Sequence, residues 1–379
     1  MARRRYQAKS RAFTAKRMAL LLLAVALVAG AAVGVNALLK QRDSYGTAVQ
    51  LPFYSESVYG YGGGVFYYTA DGKLCRYDPA DPENIPSTQL AVEDVAIVSS
   101  GSLTALYAGA SAQILGAEEV IDAGGQIMGL RCGANHIALI RQDAEGTAAV
   151  LVYDKNAALV DAVEQGDMLL LDCGFGRSGG SDLLWTLMLD STGSVPVNAL
   201  TTYTYAADGA GTVKASMSGV TSVQSQLVEK VVFTDKSIFL SGTEQLIRCD
   251  AGVSGESWRL LTYGYTLADT STSGARPLFL FVDRNNPGEW GGVKLYAADE
   301  AAQPNATARM VRLPEGTRAA MACAGKLVAF TYDKLYTYSA SGALLKEYDL
   351  GFGCDSAVKL GEHAVLVETD GALRLITLK

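Results

Sequence analysis

The chain has 379 residues, of which 49% are hydrophobic and 19% charged, and its formal net charge is −7. This composition excludes wholesale disorder, which combines few apolar residues with many charges. Seven basic residues precede residue 18, so the rest of the chain holds 25 basic and 39 acidic residues. We expect no nucleic-acid partner, because nucleic-acid binding requires basic surfaces that displace counterions.

The first predicted element is an apolar run at residues 18–39, which contains no ionisable side chain. As a helix these 22 residues would cross a bilayer core of about 30 Å. Lipid leaves a single segment no other way to satisfy its backbone hydrogen bonds. The run therefore predicts one N-terminal transmembrane helix.

The segment before this run, residues 1–17, is basic and contains no acid. Positive charge on one flank of a span predicts a cytoplasmic tail, and hence a single-pass protein of the cell membrane with its C-terminal domain extracytoplasmic. A cleaved signal peptide, cut after Ala37, is the alternative. The apolar run is longer than the 7–15 residues typical of such peptides, which favours an uncleaved signal anchor. Residues 40–46 then form a juxtamembrane linker, and residues 47–379 the extracytoplasmic domain.

A recurring unit of paired strands dominates the sequence after the linker. Two β-rich runs flank a tight polar turn, most clearly at residues 64–78 and 363–378. The turns Asp71-Gly72, Ser341-Gly342 and Asp370-Gly371 are typical of β-hairpins. These patterns predict an all-β domain.

The spacing of the units indicates the architecture. They begin near residues 64, 102, 135, 183, 236, 278, 326 and 362. A period of about 40–50 residues with four strands per unit is typical of a β-propeller. We predict eight blades, with seven as the alternative because the unit at 95–121 is thin. Residues 172–190 are interpreted as an insertion in the fourth unit.

The last unit supplies only three strands. Residues 47–51 have the alternating pattern needed for a fourth, and pairing the two ends would remove exposed sheet edges. We therefore predict that residues 47–51 close the ring.

A basic tail, a single span and Tyr- and Gly-rich hairpins together resemble uncharacterised bacterial single-pass membrane proteins of a domain-of-unknown-function family. The resemblance covers nearly the whole chain and depends on its architecture. It implies a location and a fold but no activity.

Motifs for cofactors and metals are weak. Residues 174–179 match GxGxxG, but a dinucleotide site needs this loop to open a helix, and the following residues read as a strand. We interpret them as a loop between blade strands. The only histidines, His136 and His363, occupy equivalent places in two units. With no CxxC or HExxH, neither a cofactor nor a metal site is predicted.

The six cysteines are widely spaced and lie beyond the span. A large domain does not need a disulfide framework, so we expect mainly buried thiols, with one or two bridges left open.

Aromatic residues provide the remaining hint of a binding site. The tyrosines of residues 54–68 are interpreted as packing between blades. Trp290, with Glu289 and Asn286, lies in a predicted loop, and loops on rigid scaffolds often carry binding residues. We predict this loop as a partner-binding site.

The sequence favours a membrane-tethered binding or protein-interaction scaffold at the cell envelope over an enzyme. Its ligand would be an envelope protein or a glycan. The alternative is a carbohydrate-active enzyme, a lyase or glycosidase, with its site in the propeller funnel. No catalytic residue is nominated. Carboxylates that converge in the funnel with a tyrosine or an arginine would favour the enzyme. A dry or featureless funnel beside an apolar top face would favour the scaffold.

Overall fold

The computed structural model describes residues 44–90, 94–178, 180–207, 213–224, 226–234, 236–250, 255–273, 276–298 and 308–379. The predicted tail and span, residues 1–39, lie outside this part. Within the described residues no helix has the length and apolarity that crossing a membrane requires.

The described part of the chain begins with strand β1 (Gly46–Tyr54) and continues as successive groups of four strands. Sheet 1 contains β2 (Tyr59–Gly62), β3 (Val65–Ala70), β4 (Lys73–Tyr77) and β5 (Ser87–Gln89). Sheet 2 contains β6 (Ala96–Ser100), β7 (Leu103–Ala108), β8 (Ser111–Ile114) and β9 (Val120–Asp122). Sheet 3 contains β10 (Gln126–Cys132), β11 (His136–Gln142), β12 (Ala148–Asp154) and β13 (Leu159–Glu164). Sheet 4 contains β14 (Leu169–Ser178), β15 (Ser181–Asp190), β16 (Val197–Ala207) and β17 (Val213–Val223).

The second half repeats the pattern. Sheet 5 contains β18 (Val228–Phe233), β19 (Ser237–Gly242), β20 (Gln245–Asp250) and β21 (Glu256–Leu261). Sheet 6 contains β22 (Tyr265–Ser271), β23 (Leu278–Asp283), β24 (Gly292–Ala297) and β25 (Arg309–Arg312). Sheet 7 contains β26 (Ala319–Cys323), β27 (Lys326–Phe330), β28 (Lys334–Tyr338) and β29 (Leu344–Asp349). Sheet 8 contains β30 (Ser356–Gly361), β31 (Ala364–Thr369), β32 (Ala372–Leu378) and, on the far side of β32, β1.

The eight four-stranded antiparallel sheets confirm the predicted propeller and its eight blades. First strands of neighbouring sheets contact one another, for example β2 with β6 and β22 with β26, so they surround a central channel. Contacts group Ala48–Leu378 into one unit. The other unit comprises Met1–Thr47 and Lys379, of which the structure describes residues 44–47 and 379.

Strand β1 closes the ring, as predicted. Its Leu51 and Phe53 are 5% and 4% exposed and belong to a core cluster shared by sheets 8 and 1. Phe53 stacks on Tyr68 of β3, with ring centroids 4.5 Å apart. The N-terminal strand therefore joins the last blade to the first through apolar packing as well as backbone pairing.

The predicted hairpin turns also form. Asp370 and Gly371 connect β31 to β32 with φ of 49° and 79°. Two successive positive φ values match the right-handed twist of the paired strands, and aspartate and glycine tolerate them well.

Two sequence interpretations were wrong. Residues 174–178 belong to strand β14, not to a loop. A Cβ on Gly174 would lie 2.7 Å from the Trp185 ring, and one on Gly176 would lie 2.2 Å from the Phe233 ring. Glycine at positions 174 and 176 therefore leaves room for the rings of Trp185 and Phe233. Residues 172–190, interpreted as an insertion, form most of the long hairpin of β14 and β15, each of 10 residues.

Candidate functional site

Strand order gives the propeller two distinct ends. Because consecutive strands are antiparallel, the connections between second and third strands share one end with those between fourth strands and the next sheet. We call this end the upper face. The lower face carries the connections between first and second strands and between third and fourth strands.

The central channel contains two adjoining cavities of about 310 Å³ and 530 Å³, which share Cys132, Phe175, Phe233 and Thr272. The smaller, which we call the lower cavity, opens among connections of the lower face, such as those at Ser102 and Thr234. The larger is lined mainly by innermost strands and contains Arg131 and Asp172. This channel is the funnel in which an enzyme site was considered.

Asp182, beside the lower cavity, is held by donors from the neighbouring blade. Its carboxylate accepts hydrogen bonds from the N–H groups of Ala134 (2.8 Å) and Asn135 (2.7 Å) and contacts His136 Nδ1 at 3.0 Å. Burial acts to raise the pKa of Asp182, but the hydrogen bonds outweigh it and lower the pKa. This buried carboxylate stays ionised and fixes the β10–β11 connection against sheet 4.

Glu362 has the same role on the opposite side of the channel. It accepts hydrogen bonds from the hydroxyls of Ser271 (2.5 Å) and Ser273 (2.9 Å) and from the N–H of Ala324 (2.9 Å). Burial acts to raise its pKa, but these donors and Lys359 lower it. Glu362 therefore joins sheets 6, 7 and 8.

Glu362, Lys359 and their hydrogen-bond partners form a network that we call the channel lock. Lys359 Nζ donates to the carbonyls of Thr270 (2.5 Å) and Ala322 (2.6 Å), and it lies 3.7 Å from Asp269. Burial raises the pKa of Asp269, although Lys359 opposes the shift. Lys359 and Glu362 thus connect sheets 6, 7 and 8 at the channel wall through hydrogen bonds.

The carboxylates of the channel wall are therefore engaged. Asp172 accepts hydrogen bonds from Arg131 (2.9 Å) and from the Cys173 N–H (2.8 Å), and Asp269 accepts one from the Ala322 N–H (2.8 Å). A general acid or base must be able to reach substrate. These carboxylates connect strands and blades, and the Asp172 side chain is also 44% exposed in the cavity. The enzyme alternative stays a prediction.

Unlike the channel wall, the upper face exposes many apolar side chains. Tyr263 and Leu261 are 79% and 75% exposed. Other exposed apolar residues in or beside its connections are Tyr54, Val58, Val195, Leu227 and Tyr332. Met128, Leu169, Leu171 and Val358 extend this set along the upper halves of innermost strands. The remaining large exposed apolar residues lie on or next to outermost strands.

The upper face is also acidic. Exposed acids in connections between second and third strands are Asp71, Glu145, Glu244, Glu289, Asp333 and Asp370. Those between successive sheets are Glu56, Asp94, Asp167, Glu315 and Asp355. Among the described residues of these connections the basic side chains are Arg284 and Arg318, which form ion pairs with Glu229 and Asp355. The surface is therefore both apolar and negative.

The loop predicted to bind a partner lies on this face, between β23 and β24. Asn286 and Glu289 are exposed, and the Glu289 N–H donates to the Asn286 carbonyl at 3.0 Å. Trp290 is half-buried and packs against the core cluster of sheets 6 and 7. Partner binding by this loop stays a prediction.

All six cysteines are free thiols, and five are buried while Cys132 is partly buried. Burial raises the pKa of Cys132, Cys173 and Cys323 to about 12. A thiol with so high a pKa is a poor nucleophile at neutral pH. We therefore assign packing, and not nucleophilic chemistry, to these three cysteines.

No protein-family model matches this chain. No curated protein matches it either. Among solved structures it is similar to BamB from Moraxella catarrhalis, at 10% identity and a TM-score of 0.49, over 89% of this chain and 98% of BamB. It is also similar to Kluyveromyces lactis Hsv2, at 8% identity and a TM-score of 0.48, over 78% and 100% of the two chains. Raptor from Chaetomium thermophilum gives 9% identity and a TM-score of 0.46, over 88% of this chain and 28% of Raptor. Similarities at this level assign neither a family nor a partner.

Proposed function

We propose that this protein is a membrane-tethered, extracytoplasmic propeller that binds a protein partner through its upper face. The observation that carries the proposal is the combination of exposed apolar and acidic side chains on that face. Exposed apolar side chains that lie close together commonly mark interaction sites, and Leu261 and Tyr263 lie two residues apart at the connection between β21 and β22. Tyr263 and Leu261 are the most exposed of these residues and would serve as contact anchors.

The charge of the upper face specifies the partner. Its exposed acids would attract a basic surface and repel an acidic one, which contributes specificity and association rate. Apolar side chains between the acids require apolar contacts in return. The best-fitting partner is therefore a protein segment that carries both basic and large apolar residues.

The tether is supported by the apolar run at 18–39 and the basic segment before it. In this proposal the protein holds its partner at the cell envelope.

Site-specific photo-cross-linking in cells tests the proposal. A photoreactive residue at Tyr263 should give a discrete protein adduct, and the same residue at Leu344, exposed on outer strand β29, should not. Reversing the charge of Glu244 and Glu289 to lysine should reduce the Tyr263 adduct. An adduct from Leu344 alone, or none from either site, would contradict the proposal.

A further inference from the structure

The lower cavity is separate from the upper face and has the composition of a ligand site. Its volume of about 310 Å³ lies at the small end of the range for ligand pockets, about 300–1,000 Å³. Its lining combines hydroxyl-bearing side chains, two aromatic rings and one cation. The hydroxyl-bearing side chains are Ser100, Ser102, Thr234 and Thr272, the rings are Phe175 and Phe233, and the cation is Arg177.

Arg177 supplies the charge preference. It is exposed at the end of β14 and forms no ion pair with any residue in the described part of the chain. This contrasts with Arg131 in the adjoining cavity, whose guanidinium bonds to Asp172 at 2.9 Å. Among the described residues that line the lower cavity the other charged group is Asp182, which is engaged by His136 and two N–H groups. Arg177 is thus available to a carboxylate of a ligand.

The rings and hydroxyls supply the shape preference. Phe175 and Phe233 come from adjacent sheets, and each is half-buried against a core cluster. Ring surface left uncovered in the cavity favours the apolar face of a compact ring. The hydroxyls of Ser100 and Ser102 donate to the carbonyls of Gly133 and Ala134, both at 2.6 Å. Their oxygens therefore remain acceptors for ligand hydroxyl groups.

We propose that the lower cavity binds a sugar acid, with the carboxylate on Arg177, the hydroxyls on Ser100 and Ser102, and one ring face against Phe175 and Phe233. We assign binding, and no catalytic step, to this cavity. The site does not depend on the upper face or on its partner.

Two variants isolate the site. Arg177→Gln removes the free cation, and Lys236→Gln makes the same charge change at an exposed lower-face residue outside the cavity lining. Gly101→Leu should fill the cavity without strain, because Gly101 lines it and a Cβ there meets no heavy atom within 4 Å. Thermal melting of each variant verifies that it folds.

Titration calorimetry of the full-length protein in detergent, with D-glucuronate, methyl glucoside and acetate as probes, tests the proposal. Glucuronate should bind at least tenfold more tightly than either other probe. Arg177→Gln should weaken glucuronate at least tenfold, Gly101→Leu should abolish its binding, and Lys236→Gln should leave it unchanged. The proposal is overturned if glucuronate does not bind the parent, if methyl glucoside binds equally well, or if the Arg177 and Lys236 variants weaken binding equally.

Discussion

Ring closure by β1 can be tested with a pair of proline substitutions at neighbouring positions. The Ser55 N–H donates to the Gly371 carbonyl (3.0 Å), and the Tyr45 carbonyl accepts from the Lys379 N–H (3.1 Å). In an antiparallel strand alternate residues direct their backbone groups to the same partner. Counting back from Ser55, we expect Val49 to face β32 and Gln50 to face outward. Pro52, which has no N–H, occupies an outward position, as proline in an edge strand must.

Val49→Pro removes an N–H that faces β32. The net loss of one hydrogen bond is about 0.5–1.5 kcal/mol, and a buried carbonyl left without its donor adds about 1–3 kcal/mol. We expect a decrease of about 2–4 kcal/mol in the free energy of unfolding. Because β1 also holds Leu51 and Phe53 in the cluster between sheets 8 and 1, this loss should affect the whole ring.

Gln50→Pro is the matched control, because Gln50 is exposed and faces outward like Pro52. Its effect should be below about 1 kcal/mol. Urea unfolding of the full-length protein, followed by the fluorescence of buried Trp185 and Trp258, measures both variants. Equal midpoints for Val49→Pro, Gln50→Pro and the parent would refute the role of β1 in closure. Equal destabilisation by the two prolines would refute the alternation.

Four further predictions concern the channel lock, the buried carboxylate, the thiols and the topology. Glu362→Gln should lower the free energy of unfolding by about 1–3 kcal/mol, because it removes a hydrogen-bonded charge that joins three blades. The control Glu118→Gln, at an exposed lower-face site, should change it by less than about 0.5 kcal/mol. Urea midpoints measure both variants, and equal effects would contradict the role of the channel lock. Since the folded-state pKa of Asp182 is lowered, its stabilisation is complete above the unfolded value of about 3.9 and is lost as the pH falls through the folded value. Asp182→Asn should therefore be less stable than the parent at pH 7 and pH 5, with a gap that narrows by pH 3; a constant gap would exclude this linkage. Reducing agent should leave the melting temperature nearly unchanged, and a decrease worth about 2–4 kcal/mol would instead indicate a disulfide. A reporter fused after Lys379 should be active only outside the cytoplasm. Cytoplasmic activity would contradict the proposed orientation. A mature N-terminus at Leu38 would indicate a cleaved signal peptide.

The blade count and ring closure could be predicted from the sequence because their determinants are local. Turn pairs such as Asp370-Gly371 fix where hairpins reverse, and alternation along residues 47–51 identifies a strand that lacks a sequence neighbour to pair with. The same local rules failed at residues 174–178. There glycine pattern alone indicated a loop, whereas the rings of Trp185 and Phe233 require glycine inside a strand.

The candidate sites were decided only by tertiary structure. His136 and His363 occupy equivalent places in their units, yet His136 meets Asp182 of the next blade while His363 is exposed. The upper face likewise collects acids from connections spread between Glu56 and Asp370. Sequence determined sheets 1 to 7 because neighbouring residues build each of them, and it indicated sheet 8 through the alternation along residues 47–51. The channel lock, the lower cavity and the acidic face arise where different blades meet, and contacts between residues distant in sequence leave no periodic pattern in the chain.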